Sequence, residues 1–469
     1  MMQYSVSIHQ NGIVKKVSAD EGANLLKLLR SNGVLIDTPC GGKGTCGKCA
    51  VSVKGIKAAA AEKERSLLGG NRLEKGYRLA CYITVHEDMD VYPDEDLNET
   101  AAIVTEGRKR DIAAAPMIKK QYVEMPGPSL NDQLPDAERL IRAAGREISA
   151  ADISVLREIP KILRSSGFKV TLVSMGDELI SVEPGDTTGL LYGTAFDIGT
   201  TTVAAYLYDL NSGKCAAVSS MINPQRQYGA DVISRISFTM QSAGNTGLMQ
   251  RLILDCINSL IGRLVREAGI KNEDIYAAVF TGNTTMLHFL LGLETESIAV
   301  SPFIPVTTRL NIFKSGLSGM SVDMNKNGAG VTFPGVSAYI GGDTVAAVLS
   351  SGMYGREGTA LLIDIGTNGE IVLGDKNGMF ACSTAAGPAF EGANIKNGVG
   401  GVRGAIDTVG PGPAFKYTTI GNASPVGICG SGLIEAVARL IDAGIIDETG
   451  RLAGEEEAAG FGRDIEKRL

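Results

Sequence analysis

The chain opens on an alternation of apolar and polar positions. Tyr4-Ser5-Val6-Ser7-Ile8 has a period of two and predicts a strand, and Ile13 to Val17 predicts its hairpin partner. Leu25, Leu26, Leu28 and Leu29 then mark a short amphipathic helix that Asn32-Gly33 ends. A glycine-rich loop carrying cysteines follows, and after it the strand Ala50 to Val53. The pattern lapses over 96–120, which reads as a linker: an acidic patch (Asp94, Glu95, Asp96) leads into an alanine-rich stretch and a basic cluster, Arg108-Lys109-Arg110. Residues 121–190 read as a small mixed domain, with helices over Pro128 to Ala144 and Ser149 to Ser165 and strands over Phe168 to Val173 and Glu178 to Val182. From Leu191 short β-rich apolar runs alternate with helices. The clearest helix is Leu248 to Ala268, with Leu248, Leu252, Cys256, Leu260 and Leu264 on one face. The units are therefore 1–95, the linker 96–120, 121–190 and 191–469.

The last unit contains an echo. Phe196-Asp197-Ile198-Gly199-Thr200-Thr201-Thr202-Val203 returns as Ile363-Asp364-Ile365-Gly366-Thr367-Asn368-Gly369-Glu370. Each copy follows one apolar strand and runs into a second, which implies two similar subdomains with a ligand between them. Composition adds two points. Glycine supplies 59 of 469 residues with no collagen period, as tight turns and close backbone approaches to ligands require. The net charge of −7 excludes a general nucleic-acid binder, which needs a basic face. No run approaches the roughly 18 apolar residues of a membrane span, and no signal peptide is visible, so a soluble, cytoplasmic protein is expected.

Four of the eight cysteines fall in the pattern Cys40-x5-Cys46-x2-Cys49-x31-Cys81. Three thiolates from one tight loop and one from a distant strand end suit a [2Fe–2S] cluster, and Gly41, Gly42, Gly44 and Gly47 let backbone N–H groups approach its sulfurs. A four-cysteine zinc site is the competing reading, but a zinc ribbon presents two Cys-x2-Cys knuckles and here there is one. Gly42 to Lys48 also matches the first seven positions of a Walker A loop. Cys49 then stands where its Mg²⁺-binding hydroxyl belongs, so that reading fails. Cys215, Cys256, Cys382 and Cys429 are scattered and read as small buried hydrophobes, and His288 as a core histidine.

In the echoed turns, backbone N–H groups with the hydroxyls of Thr200, Thr201 and Thr367 can cradle phosphates at Gly199 and Gly366, while Asp197 and Asp364 can hold Mg²⁺ through water. Turn capping and plain strand-end hydroxyls are the alternatives. Asp343 and Glu370 are the candidates to orient an attacking water. Gly430-Ser431-Gly432 opens a predicted helix, Leu433 to Ala443, whose N-terminus could face an anion.

The first 95 residues resemble [2Fe–2S] ferredoxins, the five-residue first gap being that of the adrenodoxin-like branch, which implies a β-grasp fold. The paired Asp-x-Gly-Thr turns resemble those of the acetate-kinase/sugar-kinase/Hsp70/actin (ASKHA) superfamily, which implies RNase-H-like subdomains with Mg²⁺–ATP in the cleft. Together they give an α+β and α/β multidomain chain that resembles the reductive activators of corrinoid proteins. That match is carried by Cys40 to Cys49, Phe196 to Val203, Asn223-Pro224-Gln225, Tyr228 to Arg235, Thr281 to Leu287, Ile363 to Glu370, Ala385 to Gly392 and Gly427 to Leu433. The resemblance implies ATP-driven reduction of a Co(II) corrinoid to Co(I) on a methyltransferase-system partner. A cluster of this type sits at roughly −400 mV, and Co(I) needs a still lower potential. It also implies a low-potential electron donor and leaves a homodimer open, while the charge and the lack of an apolar span point to no nucleic acid and no membrane. The alternative is an electron carrier or redox sensor whose ASKHA-like module binds a partner without hydrolysing ATP. In that family a further helix set and a late Ala-Gly-Gly-Phe-Gly-like adenosine-binding turn follow the Gly427–Gly432 motif. This chain ends at Leu469, with Glu455-Glu456-Glu457 and Gly460-Phe461-Gly462 shortly before, so an incomplete second subdomain is expected.

Overall fold

The computed structural model describes residues 2–93 and 114–454, except 11, 35, 37, 39, 147, 149, 317–318, 386, 388, 390–394, 396 and 412–415. The acidic and basic patches of the linker, most of the Ala385 to Gly392 stretch, Glu455-Glu456-Glu457 and Gly460-Phe461-Gly462 lie outside the described residues.

The first unit is a five-stranded mixed sheet built from β1 (Gln3–Gln10), β2 (Ile13–Asp20), β3 (Ala50–Lys54), β4 (Tyr77–Leu79) and β5 (Met89–Pro93) in the order β2-β1-β5-β3-β4. Only β1 and β5 pair in parallel. Helix α1 (Leu25–Ser31) starts where the Asn24 side chain accepts from the Lys27 N–H, and it buries Leu25, Leu26 and Leu29 against Val6, Ile8, Val51 and Val91. This is the β-grasp arrangement. Helices α2 (Glu62–Leu68) and α3 (Gly70–Glu74) cover the far edge.

The second unit pairs β6 (Ile118–Glu124), β7 (Ala150–Ala151), β8 (Lys169–Met175) and β9 (Glu178–Pro184) in the order β6-β8-β9-β7, with α4 (Asp136–Ala144) and α5 (Ile153–Ser165) packed on it. Strand β6 starts at Ile118, inside the stretch read as linker. The first helix begins at Asp136, not Pro128. Pro135 disfavours helical backbone before it, Ser129 and Asp132 exchange a bridge, and Arg139 donates to the Asp132 carboxylate and to the carbonyls of Pro126, Asp132 and Leu134. The second unit is welded to the third by Lys120, whose ammonium lies 2.6 Å from Glu183 and 5.0 Å from the Tyr276 ring centre, while the Tyr276 hydroxyl donates to Glu183.

The third unit begins with the meander β10 (Tyr192–Ile198), β11 (Thr202–Asp209) and β12 (Lys214–Ile222). Short α6 (Val232–Thr239) and long α7 (Asn245–Ala268) follow, then β13 (Ile275–Gly282) parallel to β10, α8 (Thr284–Leu291), α9 (Glu296–Ala299), β14 (Asn311–Lys314), β15 (Ala329–Thr332) and α10 (Gly342–Ser351). The six strands run β12-β11-β10-β13-β15-β14, and Phe196, Ile198 and Val203 share one core with Ile253, Ile257 and Leu260 of α7. A second meander, β16 (Ala360–Ile365), β17 (Gly369–Asp375) and β18 (Gly378–Thr384), repeats the first. A small sheet of β19 (Ala405–Val409), β20 (Tyr417–Thr419) and β21 (Gly427–Ile428) leads into α11 (Gly430–Asp442). Ile363 and Ile365 occupy the places of buried Phe196 and Ile198, yet are 54% and 58% exposed, because no long helix covers them among the described residues. Cys256 and Cys429 are buried as expected. Cys215 and Cys382 are exposed, since they sit on the open faces of β12 and β18. No described helix is long and apolar enough to cross a membrane.

A buried ion pair organises the strand that presents Cys81. Glu64, fully buried, receives Arg78 through both carboxylate oxygens at 2.9 and 3.0 Å and the Leu79 N–H at 2.7 Å. Replacing Glu64 with Ala strands the Arg78 charge, and is expected to cost about 3–5 kcal/mol of the first unit's stability, measured as a lowered midpoint in urea unfolding followed by circular dichroism.

Candidate functional site

The cysteine loop is shaped by glycines in left-handed conformation. Gly41, Gly42, Gly44 and Gly47 have φ between 64° and 89°. At Gly44 a Cβ would stand 2.7 Å from the Tyr82 hydroxyl, which itself donates to the Gly44 carbonyl at 3.0 Å, so only glycine fits there. The loop brings Cys40 Sγ to 3.3 Å from Cys46 Sγ, and the strand end brings Cys81 Sγ to 3.3 Å from Cys49 Sγ. Backbone N–H groups of Thr45, Gly42 and Cys46 turn toward the Cys40 sulfur, and that of Lys48 toward Cys46. Within each pair a shared proton splits the thiols. It draws Cys40 down to about 3 and Cys49 below its ordinary value, and pushes Cys46 and Cys81 up. Two pairs of thiols, each able to serve one iron, fit a two-iron cluster. Among the described residues no three such donors converge on a single ion, as a mononuclear zinc site would need.

The echoed turns have the same build. In the first, Asp197 faces Ala204 across the hairpin and the Gly199 N–H closes the turn on the Thr202 carbonyl at 3.0 Å. In the second, Asp364 faces Glu370 and the Gly366 N–H closes on Asn368 at 3.0 Å. A Cβ at Gly199 would stand 2.6 Å from the Thr202 carbonyl oxygen, which makes this glycine obligatory. Asp343, in the first turn of α10, and Glu370 lie near these turns, so that Asp197 feels the charges of Asp343 and Asp364, Asp343 that of Asp364, and Glu370 those of Asp343 and Asp364. Solvent reaches Asp197 and Asp364, while Asp343 and Glu370 are half-buried. Surrounding protein, then the charges of Asp343 and Asp364, push Asp197 up to about 6. Desolvation raises Asp343 and carries Glu370 up to about 7, although Ser383 Oγ donates to Glu370 Oε1 at 3.1 Å.

Thr200 Oγ1 accepts from Asn283 Nδ2 at 3.1 Å, and the Thr367 carbonyl accepts from Gly387 N–H at 3.1 Å. Gly430, Ser431 and Gly432 form the first turn of α11. A Cβ at Gly432 would stand 2.2 Å from the Ile406 carbonyl oxygen, and Ser431 meets Cys429 Sγ at 3.4 Å, so their contacts are with β19 and its neighbours, not with the carboxylates. Helix α11 starts at Gly430, three residues before the predicted start. His288 is buried, Nδ1 at 2.7 Å from the Thr284 carbonyl and Nε2 accepting from the Val306 N–H at 3.0 Å, which assigns it to packing.

Sequence reasoning gives no role to the residues that hold the first turn from behind. Asn223 Nδ2 donates to the Gly199 carbonyl at 2.8 Å and its N–H to the Thr201 carbonyl at 2.8 Å. Arg235, fully buried, donates to the Thr200 and Gly229 carbonyls. The available signal is the Asn-Pro dipeptide ahead of a polar helix start, which marks a capped turn but not what it caps.

A ferredoxin-type [2Fe–2S] domain joined to a duplicated Asp-x-Gly-Thr hairpin module defines an iron–sulfur protein with an ASKHA domain. Profiles for the 2Fe–2S cluster-binding domain match residues 8–86, for the RACo linker region 107–189, for the RACo middle region 192–356 and for the C-terminal ASKHA domain of RACo 358–467. The corrinoid activation enzyme RamQ of Eubacterium limosum is 32% identical over 460 residues, 96% of this chain and 71% of that one. A solved reductive activator for corrinoid, iron–sulfur protein aligns with a TM-score of 0.68 at 34% identity, over 98% of this chain and 75% of that one. A component of the Na⁺-translocating NADH-quinone reductase of Marinomonas sp. (strain MWYL1) is 36% identical over 92 residues, 20% of this chain and 22% of that one. The chain belongs to the RACo family of reductive activators of corrinoid proteins.

The raised carboxylates set a stability gradient. A carboxyl whose folded value lies above its unfolded one favours the folded state when protonated, so that contribution fades as pH rises from about 4 through the folded values near 6 and 7. The protein without Mg²⁺ is expected to melt at lower temperature at pH 7.5 than at pH 5.5 on this account. Asp197→Asn should flatten the difference, and thermal denaturation at the two pH values checks it.

Proposed function

We propose that this chain reductively reactivates a corrinoid protein of a methyltransferase system, returning Co(II) to Co(I) with one electron from a low-potential donor, in a step coupled to ATP. The observation that carries the reading is the presence, in one chain, of a two-plus-two thiol set and four neighbouring carboxylates at echoed phosphate-type turns.

Cys40 and Cys46 would hold one iron of a [2Fe–2S] cluster and Cys49 and Cys81 the other; when bound, the cluster supplies one-electron transfer at low potential. The glycine turns keep backbone N–H groups on the sulfurs, which stabilises negative charge there. Of the carboxylates, Asp197 and Asp364 would orient a hydrated Mg²⁺, and the turns at Gly199 and Gly366 would receive phosphate oxygens through the hydroxyls of Thr200, Thr201 and Thr367. Gly430, Ser431 and Gly432, at the start of α11, would offer a further helix N-terminus to an anion. Asp343 and Glu370 orient the water, and Glu370, one oxygen engaged by Ser383, keeps the other free to take its proton near neutral pH. Nucleotide affects the reduction only through unequal affinity for the states of the activator–corrinoid complex.

Anaerobic reduction of Co(II) corrinoid proteins, followed by their visible spectra with and without Mg²⁺–ATP, tests the reading. Reduction that depends on both nucleotide and the four cysteines is expected. Asp343→Asn should keep the cluster and lose ATP hydrolysis by about 100-fold or more. Cobalt reduction indifferent to ATP would instead favour a plain electron carrier.

A further inference from the structure

The cysteine loop and the first phosphate-type turn are far apart in sequence, yet they rest on opposite ends of one short segment. The segment is Asn223–Tyr228. At its start Asn223 holds the Gly199 and Thr201 carbonyls, and Gln225 fixes the segment to α7 by donating from Nε2 to the Met249 carbonyl at 2.9 Å. At its end the Gln227 carbonyl accepts from Thr38 Oγ1 at 2.7 Å and from Arg30 Nη2, which also donates to Thr38 Oγ1. The Arg30 guanidinium lies over the Tyr228 ring, 4.8 Å from its centre. Thr38 in turn anchors the cysteine loop, its carbonyl accepting from the Gly41 N–H at 2.8 Å.

Arg30 is the charged member of this seam. Its Nε is buried without a hydrogen-bond partner, and it forms no ion pair among the described residues. Burial disfavours its charge, while Tyr228 and the thiols of Cys49, Cys40 and Cys81 favour it. Beside it opens a cavity of about 600 Å³, lined by Arg30, Cys40, Lys43, Tyr228 and Phe238 among others, which gives the guanidinium room to move toward the cysteine loop.

We propose that Arg30 is a positioning residue that links the charge on the cysteine-held cluster to the geometry of the Gly199–Thr202 turn through Gln227 and Asn223. The proposal rests on the cluster assignment made above. One electron added by a strong reductant such as dithionite places one more negative charge between the sulfurs. The guanidinium is drawn to it, its bond to the Gln227 carbonyl weakens, and the Asn223–Tyr228 segment loosens its hold on the turn. By linkage, a ligand that fixes the turn favours one charge state of the cluster.

The test uses the full chain with its cluster, in oxidised and dithionite-reduced forms, read by hydrogen–deuterium exchange over peptides covering 196–203 and 223–235. Exchange several-fold faster in the reduced form at both peptides is expected, as is loss of that difference in Arg30→Gln and partial recovery in Arg30→Lys. Thr38→Val breaks the same seam without altering charge and should raise exchange at 223–235 in both forms. Equal exchange in the two forms of the loaded wild-type chain, or an unchanged difference in Arg30→Gln, overturns the proposal. A chain that takes up no iron overturns the cluster reading as well, and its iron content and visible spectrum show this directly.

Discussion

Four carboxylates lie near one another, and the fold holds them there against their mutual repulsion. Asp197 and Asp364 come from the ends of two equivalent strands, Glu370 from the strand across the second hairpin and Asp343 from the start of a helix. Among the described residues no ion pair neutralises this set, and the protein around half-buried Asp343 and Glu370 disfavours their charged forms further. Holding these charges together costs stability, which the apolar core under β10 and α7 offsets. Charge crowding of this kind, held at a site and compensated elsewhere, is a common mark of ligand binding.

The echo between the two hairpins shows how little of a fold a repeated motif settles. Turn closure, strand pairing and the acidic position are reproduced in both copies. The setting is not. The first copy is central in a six-stranded sheet with a 24-residue helix over it, the second is a three-stranded meander with its apolar side open among the described residues. Short motifs encode local backbone geometry, whereas burial depends on what the rest of the chain lays over them.

The same distinction explains what is legible without coordinates. The spacing of Cys40, Cys46, Cys49 and Cys81 and the duplicated Asp-x-Gly-Thr are local signals, as are the period of α7 and the alternation of β1. The pattern makes helix α4 too long because apolar periodicity continues through Pro128 to Pro135, where proline and the Arg139 contacts impose another backbone. Exposure of Cys215 and Cys382 leaves no trace in the sequence, since a cysteine in a strand carries no sign of which face is covered. Hidden too are Glu64 under Arg78, Asn223 behind Gly199 and Arg30 on Gln227, since each joins residues from separate parts of the chain and leaves no periodic pattern.

Leu361, Ile363 and Ile365 form a row along one side of β16, all more than half exposed, and Phe380 on β18 is 84% exposed. Among the described residues nothing covers this ribbon, and an exposed apolar ribbon favours association between molecules. Sulfate and phosphate salts, which strengthen apolar association, would drive molecules together along it, and dilute low-salt buffers would keep them apart. Since added salt also weakens the electrostatics of the acidic cluster, the ionic conditions that suit the one face work against the other.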